Sequence, residues 1–375
     1  MATFLRTTEI PLDRAFTLPG EYFTSPAIFA EEREKIFSAR WLCVGRESEL
    51  RAAGDYVLRD VLGESIIVVR GEMGGIHAHY NVCRHRGSRL CEAEAGCFGA
   101  TIRCPYHAWT YALDGRLLGA PSTGDLPGFR AADYPLHPVA VASWEGFSFI
   151  NLASEPELFD TAWEPLIGRF SRFNLDRLLP ARTIEYDVKA NWKLLFQNYS
   201  ECYHCGPVHP SLARATPPTS GENDLVEGPF TGGYMVMNAG YESLTVTGRS
   251  CGLPVGDLPA EDLRRVYYYA IFPNMLLSLH PDYVMYHTLW PLAPDRTRVS
   301  CSWLFTADTL GDPRFDPSDG VEFWDRTNRE DWHICERSQL GVSSRAYRPG
   351  PYSRRESLPA RFDRQVLRAL GHERD

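Results

Sequence analysis

The chain has 375 residues, 44% of them hydrophobic, enough for about two domains with buried cores. Its formal net charge of −9 argues against nucleic acid as a partner and suits a cationic small molecule better than an anionic one. No stretch approaches eighteen consecutive apolar residues, so no membrane span is read, and Met1 to Gly20 carries Glu9, Asp13 and Arg14 with no apolar core, unlike a secretory signal. These features predict a cytoplasmic protein.

In chain order, Ser25-Pro26 offers a capping residue followed by proline at the first helical position. Ile28, Phe29, Ile36, Phe37 and Trp41 then share one helical face, so residues 1–42 read as a helical segment. From about Cys43 short strand-like runs take over, including Tyr56–Arg59 and Ile66–Arg70, broken by Gly54, Gly63 and a turn over Gly71–Gly75. Val139–Ala142 and Phe147–Asn151 read as closing strands, which makes 43–155 a small all-β domain.

Two loops of that domain carry Cys83-Arg84-His85 and Cys104-Pro105-Tyr106-His107, with eighteen residues between His85 and Cys104. Each run pairs a thiolate with an imidazole. A Rieske 2Fe-2S cluster needs this inventory: two cysteines on one iron and two histidines on the other raise its potential above that of an all-cysteine cluster. A structural zinc site also uses two Cys and two His, but it usually keeps its cysteines together and its histidines together. Here they interleave. The remaining cysteines (Cys43, Cys91, Cys97, Cys202, Cys205, Cys251, Cys301, Cys335) are scattered and read as reduced thiols.

Residues 156–375 mix helices and strands. Trp163–Leu175 is helical in pattern and Arg182–Lys189 strand-like. Asn191–His204 predicts a helix, with Trp192, Leu195, Phe196, Tyr199 and Tyr203 at helical spacing. Residues 210–262 are rich in Gly and Pro and read as loops, some lining a pocket. Val266–Phe272, Met275–Leu279, Tyr283–Pro291 and Arg298–Thr306 read as an antiparallel sheet, and Asp319–Leu340 as a long amphipathic helix. There are no internal repeats.

A second constellation is Glu201-Cys-Tyr-His204-Cys-Gly-Pro-Val-His209. On one continuous helix His204 and His209 would diverge by about 140°. Gly206-Pro207 is expected to break the helix and let both rings meet one metal. Two histidines and a carboxylate form the facial triad of non-haem Fe(II), with positions left open for oxygen. Asp331 on the long helix is the expected carboxylate. Asn328 and Cys335 share its face, whereas Glu330 and Glu336 are expected to point elsewhere if Val321, Trp324 and Trp332 mark the buried stripe. Two histidines five apart also arise by chance in ordinary loops. Beside an electron-delivering cluster, a redox-active acceptor is the stronger reading. Glu201, three residues before His204, would share its face and tune the iron through hydrogen bonding.

Both constellations, in this order, resemble the oxygenase (α) component of Rieske non-haem iron oxygenases over nearly the whole chain. Asn81-Val-Cys-Arg-His-Arg-Gly-Ser-Arg-Leu-Cys91, Ala190-Asn-Trp-Lys-Leu194, Glu201-Cys-Tyr-His-Cys205 and Ala346-Tyr-Arg-Pro-Gly-Pro-Tyr-Ser353 are similar to the branch acting on quaternary ammonium compounds, which holds glycine betaine, choline and carnitine monooxygenases and stachydrine demethylase. The last run looks most like the glycine betaine enzymes; residues 210–262 match less clearly. The resemblance implies an α+β fold, with a Rieske all-β domain inserted into a helix-grip catalytic domain built on an antiparallel sheet. It implies a 2Fe-2S cluster on Cys83, His85, Cys104 and His107, a mononuclear iron on His204, His209 and Asp331, and usually an α3 homotrimer. Electrons would pass from one subunit's cluster through His107 to Glu201, then to His204 of the next subunit.

The implied reaction is hydroxylation of a C–H bond with O2 and electrons from NADH or NADPH, delivered by a separate flavin and iron–sulfur reductase. On an N-methyl group it ends in formaldehyde and the demethylated amine; glycine betaine, giving dimethylglycine, is the expected substrate. A trimethylammonium group donates no hydrogen bond, so aromatic faces should hold it, at about 2 kcal/mol each when desolvated. Tyr267, Tyr268, Tyr269, Phe272, Tyr283, Tyr286 and Trp290 crowd the sheet region, most of them as core. Asn198 is a candidate for the pocket wall. The rival readings are an aromatic-ring dioxygenase α subunit, which usually brings a β subunit, and a non-enzymatic Rieske electron carrier, which would need only about 43–155.

Overall fold

The computed structural model describes residues 4–10 and 15–373; Asp13 and Arg14, read above as part of the polar N-terminal stretch, lie outside them. The chain packs as two units, residues 37–156 and residues 1–36 with 157–375, so one is inserted in the sequence of the other.

The inserted unit is all-β. Its main sheet runs Leu42–Arg46, Phe147–Asn151, Pro138–Trp144, Ile76–Tyr80, Glu64–Arg70, Asp55–Val61 and Ala95–Cys97 in spatial order, every pair antiparallel. The β-branched run Ile66-Ile67-Val68-Val69 is buried on both faces, as a central strand requires. Leu62 and Gly63 both take positive φ (56° and 96°), the mirror-image turn whose twist matches a tight hairpin. A smaller sheet of Thr101–Arg103, Thr110–Ala112 and Leu117–Gly119 stands beside the second Cys/His run.

The other unit is built on an eight-stranded antiparallel sheet, in the order Phe4–Arg6, Glu222–Asp224, Phe230–Val236, Arg265–Ile271, Met275–Leu279, Val284–Ala293, Arg296–Phe305 and Leu179–Val188. The three longest helices among the described residues accompany it: Trp192–Tyr199, Ser318–Val342 and Ser357–Leu370. Trp192 packs edge-on against Phe196 and Phe362, and Phe196 stacks on Phe362 at 5.0 Å between centroids. At the same place Lys193 and Glu32 form a fully buried ion pair, and the Trp192 indole donates to Glu32 at 2.9 Å. Pairing and hydrogen bonding satisfy charges that could not otherwise be buried. Fold class and sheet type are those the sequence implied.

Three local expectations need correction. Trp163–Leu175 is not an α-helix but a series of turns with short 3-10 segments, because Gly168 (φ 73°) and Asn174 (φ 46°) adopt left-handed backbone. Residues 210–262 are not all loop. They contain the helix Pro210–Ala215 and the strands Glu222–Asp224 and Phe230–Val236, the last concealed in sequence by Gly232-Gly233. The close approach of Tyr268 and Glu222 backbone leaves no room for a Cβ at those two glycines. Finally, the helix from Trp192 ends at Tyr199 rather than His204, for a reason given below.

Candidate active site

In the inserted unit the two Cys/His runs form matching loops. The Cys83 amide donates to Ser88 O at 2.8 Å and the Cys104 amide to Trp109 O at 2.8 Å. Four residues past each cysteine the chain turns through positive φ, at Gly87 (72°) and Ala108 (58°). The thiols of Cys83 and Cys104 are thereby buried, while His85 is exposed and His107 half-buried. The imidazole centroids lie 4.6 Å apart, and His85 stacks on Trp109. The Tyr111 hydroxyl is 3.3 Å from Cys83 Sγ and accepts the Arg84 amide at 3.1 Å. Two sulfurs inward and two imidazoles outward is the donor set of a cluster with one Cys-held and one His-held iron.

In the other unit the helix Trp192–Tyr199 begins at Asn191, whose side chain accepts the Lys193 amide at 3.0 Å. It stops where Glu201 supplies an alternative acceptor: Glu201 Oε2 takes the amides of Tyr203 and His204. That bonding competes with helix continuation, so the break comes before His204 and not at Gly206-Pro207. Pro207 instead sits inside the short helix Cys205–Val208, in a first turn where no intrahelical N–H is needed. Glu201 and His204 do not share a helix face, yet Glu201 Oε1 and His204 Nδ1 meet at 2.6 Å.

The cysteine reading also changes here. Cys202 and Cys205 are joined by a disulfide across this turn, with Cα atoms 4.9 Å apart, rather than remaining reduced thiols. Three residues along the chain are close in space at a turn, which made two "scattered" cysteines neighbours. Among the described residues Cys83, Cys91, Cys97, Cys104, Cys251, Cys301 and Cys335 form no disulfide.

The remaining side chains converge on one point. Asp331 Oδ1 lies 3.2 Å from His204 Nε2 and 2.8 Å from His209 Nε2, and all three donor atoms fall within 4.8 Å of one another. Burial works against charge on His204, but its bonds to Asp331 and Glu201 hold its pKa up at about 10. Burial likewise opposes charge on Asp331, and the two imidazoles hold its pKa down to about 2. A dication seated among the three would take over the role of these protons. Two imidazoles and one carboxylate fit a ferrous ion with positions left open for oxygen. Asn198 Nδ2 stands 3.3 Å from His204 Nε2, at the edge of the same cavity.

Glu330, expected to point elsewhere, instead reaches the far side of the His209 ring: its Oε2 lies 2.7 Å from His209 Nδ1. Glu336 does point away, accepting the Lys189 amide at 3.0 Å. A cavity of about 270 Å³ opens over the triad. Of the seven sheet aromatics named from sequence, Tyr268 lines it; Trp324 of the long helix, read only as a core-stripe residue, lines it too. The Tyr268 and Trp324 ring centroids are 6.2 Å apart.

Residues 40–130 match the Rieske [2Fe-2S] domain, and residues 175–372 match the ring hydroxylating alpha subunit (catalytic domain). The chain belongs to the Rieske ring-hydroxylating oxygenase family. Its members' cofactors are a Rieske 2Fe-2S cluster and a non-haem iron, and this family member is accordingly an oxidoreductase oxygenase subunit using O2 and electrons from a reduced nicotinamide. It is 35% identical to the glycine betaine monooxygenase oxygenase subunit of Chromohalobacter salexigens, over 90% of this chain and 82% of that one. It is 39% identical to the carnitine monooxygenase oxygenase subunit of Acinetobacter baumannii, over 54% of each chain. Its fold is similar to the crystal structure of the quaternary ammonium Rieske monooxygenase CntA with L-carnitine (28% identity, TM-score 0.80, 96% of this chain and 97% of that one).

Proposed function

We propose that this oxygenase N-demethylates a quaternary ammonium compound, with glycine betaine as the substrate and dimethylglycine and formaldehyde as the products. One observation carries the reading: the His204, His209 and Asp331 donors meet at a cavity whose wall includes Tyr268 and Trp324. Such a group cannot be held by hydrogen bonds to its methyls, whereas ring faces attract its charge by up to about 2 kcal/mol each. In sequence, the likeness to a glycine betaine enzyme runs over 90% of this chain and that to a carnitine enzyme over 54%, which favours the smaller betaine although the fold matches a carnitine-bound enzyme over 96%.

In this reading Cys83, His85, Cys104 and His107 hold the cluster, and His204, His209 and Asp331 hold the iron. When bound, these groups supply single-electron delivery and O2 activation. The chain's own part is to bind, orient and connect. Tyr268 and Trp324 place an N-methyl group over the triad. Asn198 borders the pocket beside His204. Glu201 holds His204 at Nδ1 and offers its carboxylate to His107 of a neighbouring subunit in an α3 homotrimer, which shortens the electron path with hydrogen bonds. A flavin and iron–sulfur reductase feeds the cluster from NADH or NADPH, in the cytoplasm, where both nicotinamides are available. One oxygen atom enters the C–H bond and the other leaves as water, consuming two electrons and two protons; the hydroxymethyl ammonium then releases formaldehyde, a proton and the tertiary amine.

The test is formaldehyde release from glycine betaine, carnitine, choline and aromatic acids with a surrogate reductase. Glycine betaine is expected to give the highest kcat/KM. A cis-diol from an aromatic acid, with no formaldehyde from any quaternary amine, would overturn the proposal.

A further inference from the structure

We propose that Glu330 is a positioning residue for the mononuclear iron, acting through His209. The inference rests on the reading of His204, His209 and Asp331 as the metal site. Its basis is a pair of matched contacts. Glu201 Oε1 holds His204 Nδ1 at 2.6 Å, and Glu330 Oε2 holds His209 Nδ1 at 2.7 Å. An imidazole that donates from Nδ1 to a carboxylate has its lone pair at Nε2, and both Nε2 atoms face Asp331. Both rings are therefore fixed in the tautomer and orientation that a metal at Asp331 requires.

The two carboxylates reach their rings from different parts of the fold. Glu201 belongs to the same turn as His204. Glu330 comes from the helix Ser318–Val342, directly before Asp331. Successive helical residues differ by about 100° in direction, so one helix grips the His209 ring at both nitrogens, Asp331 in front and Glu330 behind. Glu201 shares its charge with two backbone amides, whereas among the described residues His209 is the only hydrogen-bond partner of Glu330. The side chain of Glu330 is 35% exposed and that of His209 is 1% exposed. Removing Glu330 thus frees a buried ring while leaving only a surface gap, which separates metal positioning from fold stability. Carboxylates behind ligating histidines raise ligand basicity, and their loss typically costs about 10–100-fold in metal affinity.

The experiment uses the full-length protein with its cluster intact, stripped of mononuclear iron and titrated with Fe(II) alone. Nitric oxide is then added to read the electron paramagnetic resonance spectrum of the ferrous adduct. Glu330→Ala is expected to weaken Fe(II) binding about 10–100-fold and to change the rhombicity of the adduct spectrum, with cluster absorbance and thermal unfolding unchanged. Glu330→Gln keeps an acceptor for Nδ1 without the charge, and its affinity is expected between wild type and Glu330→Ala. Wild-type affinity and spectrum in both variants would refute the role of Glu330 alone. A wild-type protein that takes up no Fe(II) would instead overturn the site reading beneath it. If Glu330→Ala does not fold, Glu330→Gln decides: wild-type affinity with a wild-type spectrum counts against the assignment, and weakened binding supports it.

Discussion

Glu201 reaches His204 twice, with Oε1 at 2.6 Å from the ring Nδ1 and Oε2 accepting the His204 amide at 3.2 Å. The carboxylate is therefore locked to both the ring and the backbone of a residue proposed to hold iron. Glu201→Gln keeps one acceptor oxygen, turns the other into an amide donor and removes the charge. Both metal centres should persist, while substrate-dependent reoxidation of the cluster slows by roughly 10–100-fold. Stopped-flow absorbance of the reduced cluster in single turnover measures this; an unchanged rate would remove Glu201 from the electron path.

Among the described residues Asp331 is the one carboxylate that touches both Nε2 atoms. Asp331→Ala is expected to keep the red-brown cluster and lose the mononuclear iron and all turnover. Metal analysis against acid-labile sulfide separates the two centres. Retention of the third iron per chain, with activity, would assign the ligand elsewhere.

Tyr268, on the strand Arg265–Ile271, lines the cavity. Tyr268→Leu removes one cation–π face, worth about 2 kcal/mol, and should raise KM for the quaternary amine about 30-fold, whereas Tyr268→Phe stays near wild type. Equal KM in the two variants would show that the ring face does not bind the cation.

The Tyr111 hydroxyl lies 3.3 Å from the Cys83 sulfur, which as a cluster-bound thiolate would accept from it. Hydrogen bonds to cluster sulfurs stabilise the more negative, reduced form. Tyr111→Phe should therefore shift the cluster potential in the negative direction, read by redox titration of the visible spectrum. A shift in the positive direction would exclude this bond as a tuning contact.

Asp363 gives a pH signature. Burial holds its carboxyl up at about 7, against hydrogen bonds from Gln197 and Tyr352. Between the ordinary aspartate value and that one, the folded state keeps a proton the unfolded state has released, so stability is lost as pH rises from about 4 through about 7. Asp363→Asn mimics the protonated group and should flatten that loss, raising stability at pH 8 more than at pH 5. Denaturant midpoints at the two pH values measure it; a parallel change at both would contradict the assignment.

Much of this was legible in the chain. Cys83, His85, Cys104 and His107 lie within runs of three and four residues, so local spacing alone announces a cluster. His204 and His209 are similarly local. The strands Met275–Leu279 and Phe147–Asn151 appear where continuous apolar runs end in turn residues, because a strand's two faces leave a direct imprint on sequence. Sequence patterns record what neighbouring residues must do together, and for the inserted β unit that was nearly sufficient.

What the sequence by itself determined was the inventory: one four-residue Cys/His motif, two histidines proposed to hold iron and a helix carrying carboxylates. The tertiary structure decided which atoms meet. The helix before His204 ends early because the Glu201 carboxylate outcompetes the next helical acceptors, a contact no periodicity shows. Cys202 and Cys205 pair because the same turn brings their Cα atoms to 4.9 Å. Glu330 and Asp331 both contact His209, although a hydrophobic stripe pointed Glu330 elsewhere. That choice depends on where the His209 ring stands between two side chains 121 and 122 residues away in sequence, a distance set by packing and not by spacing.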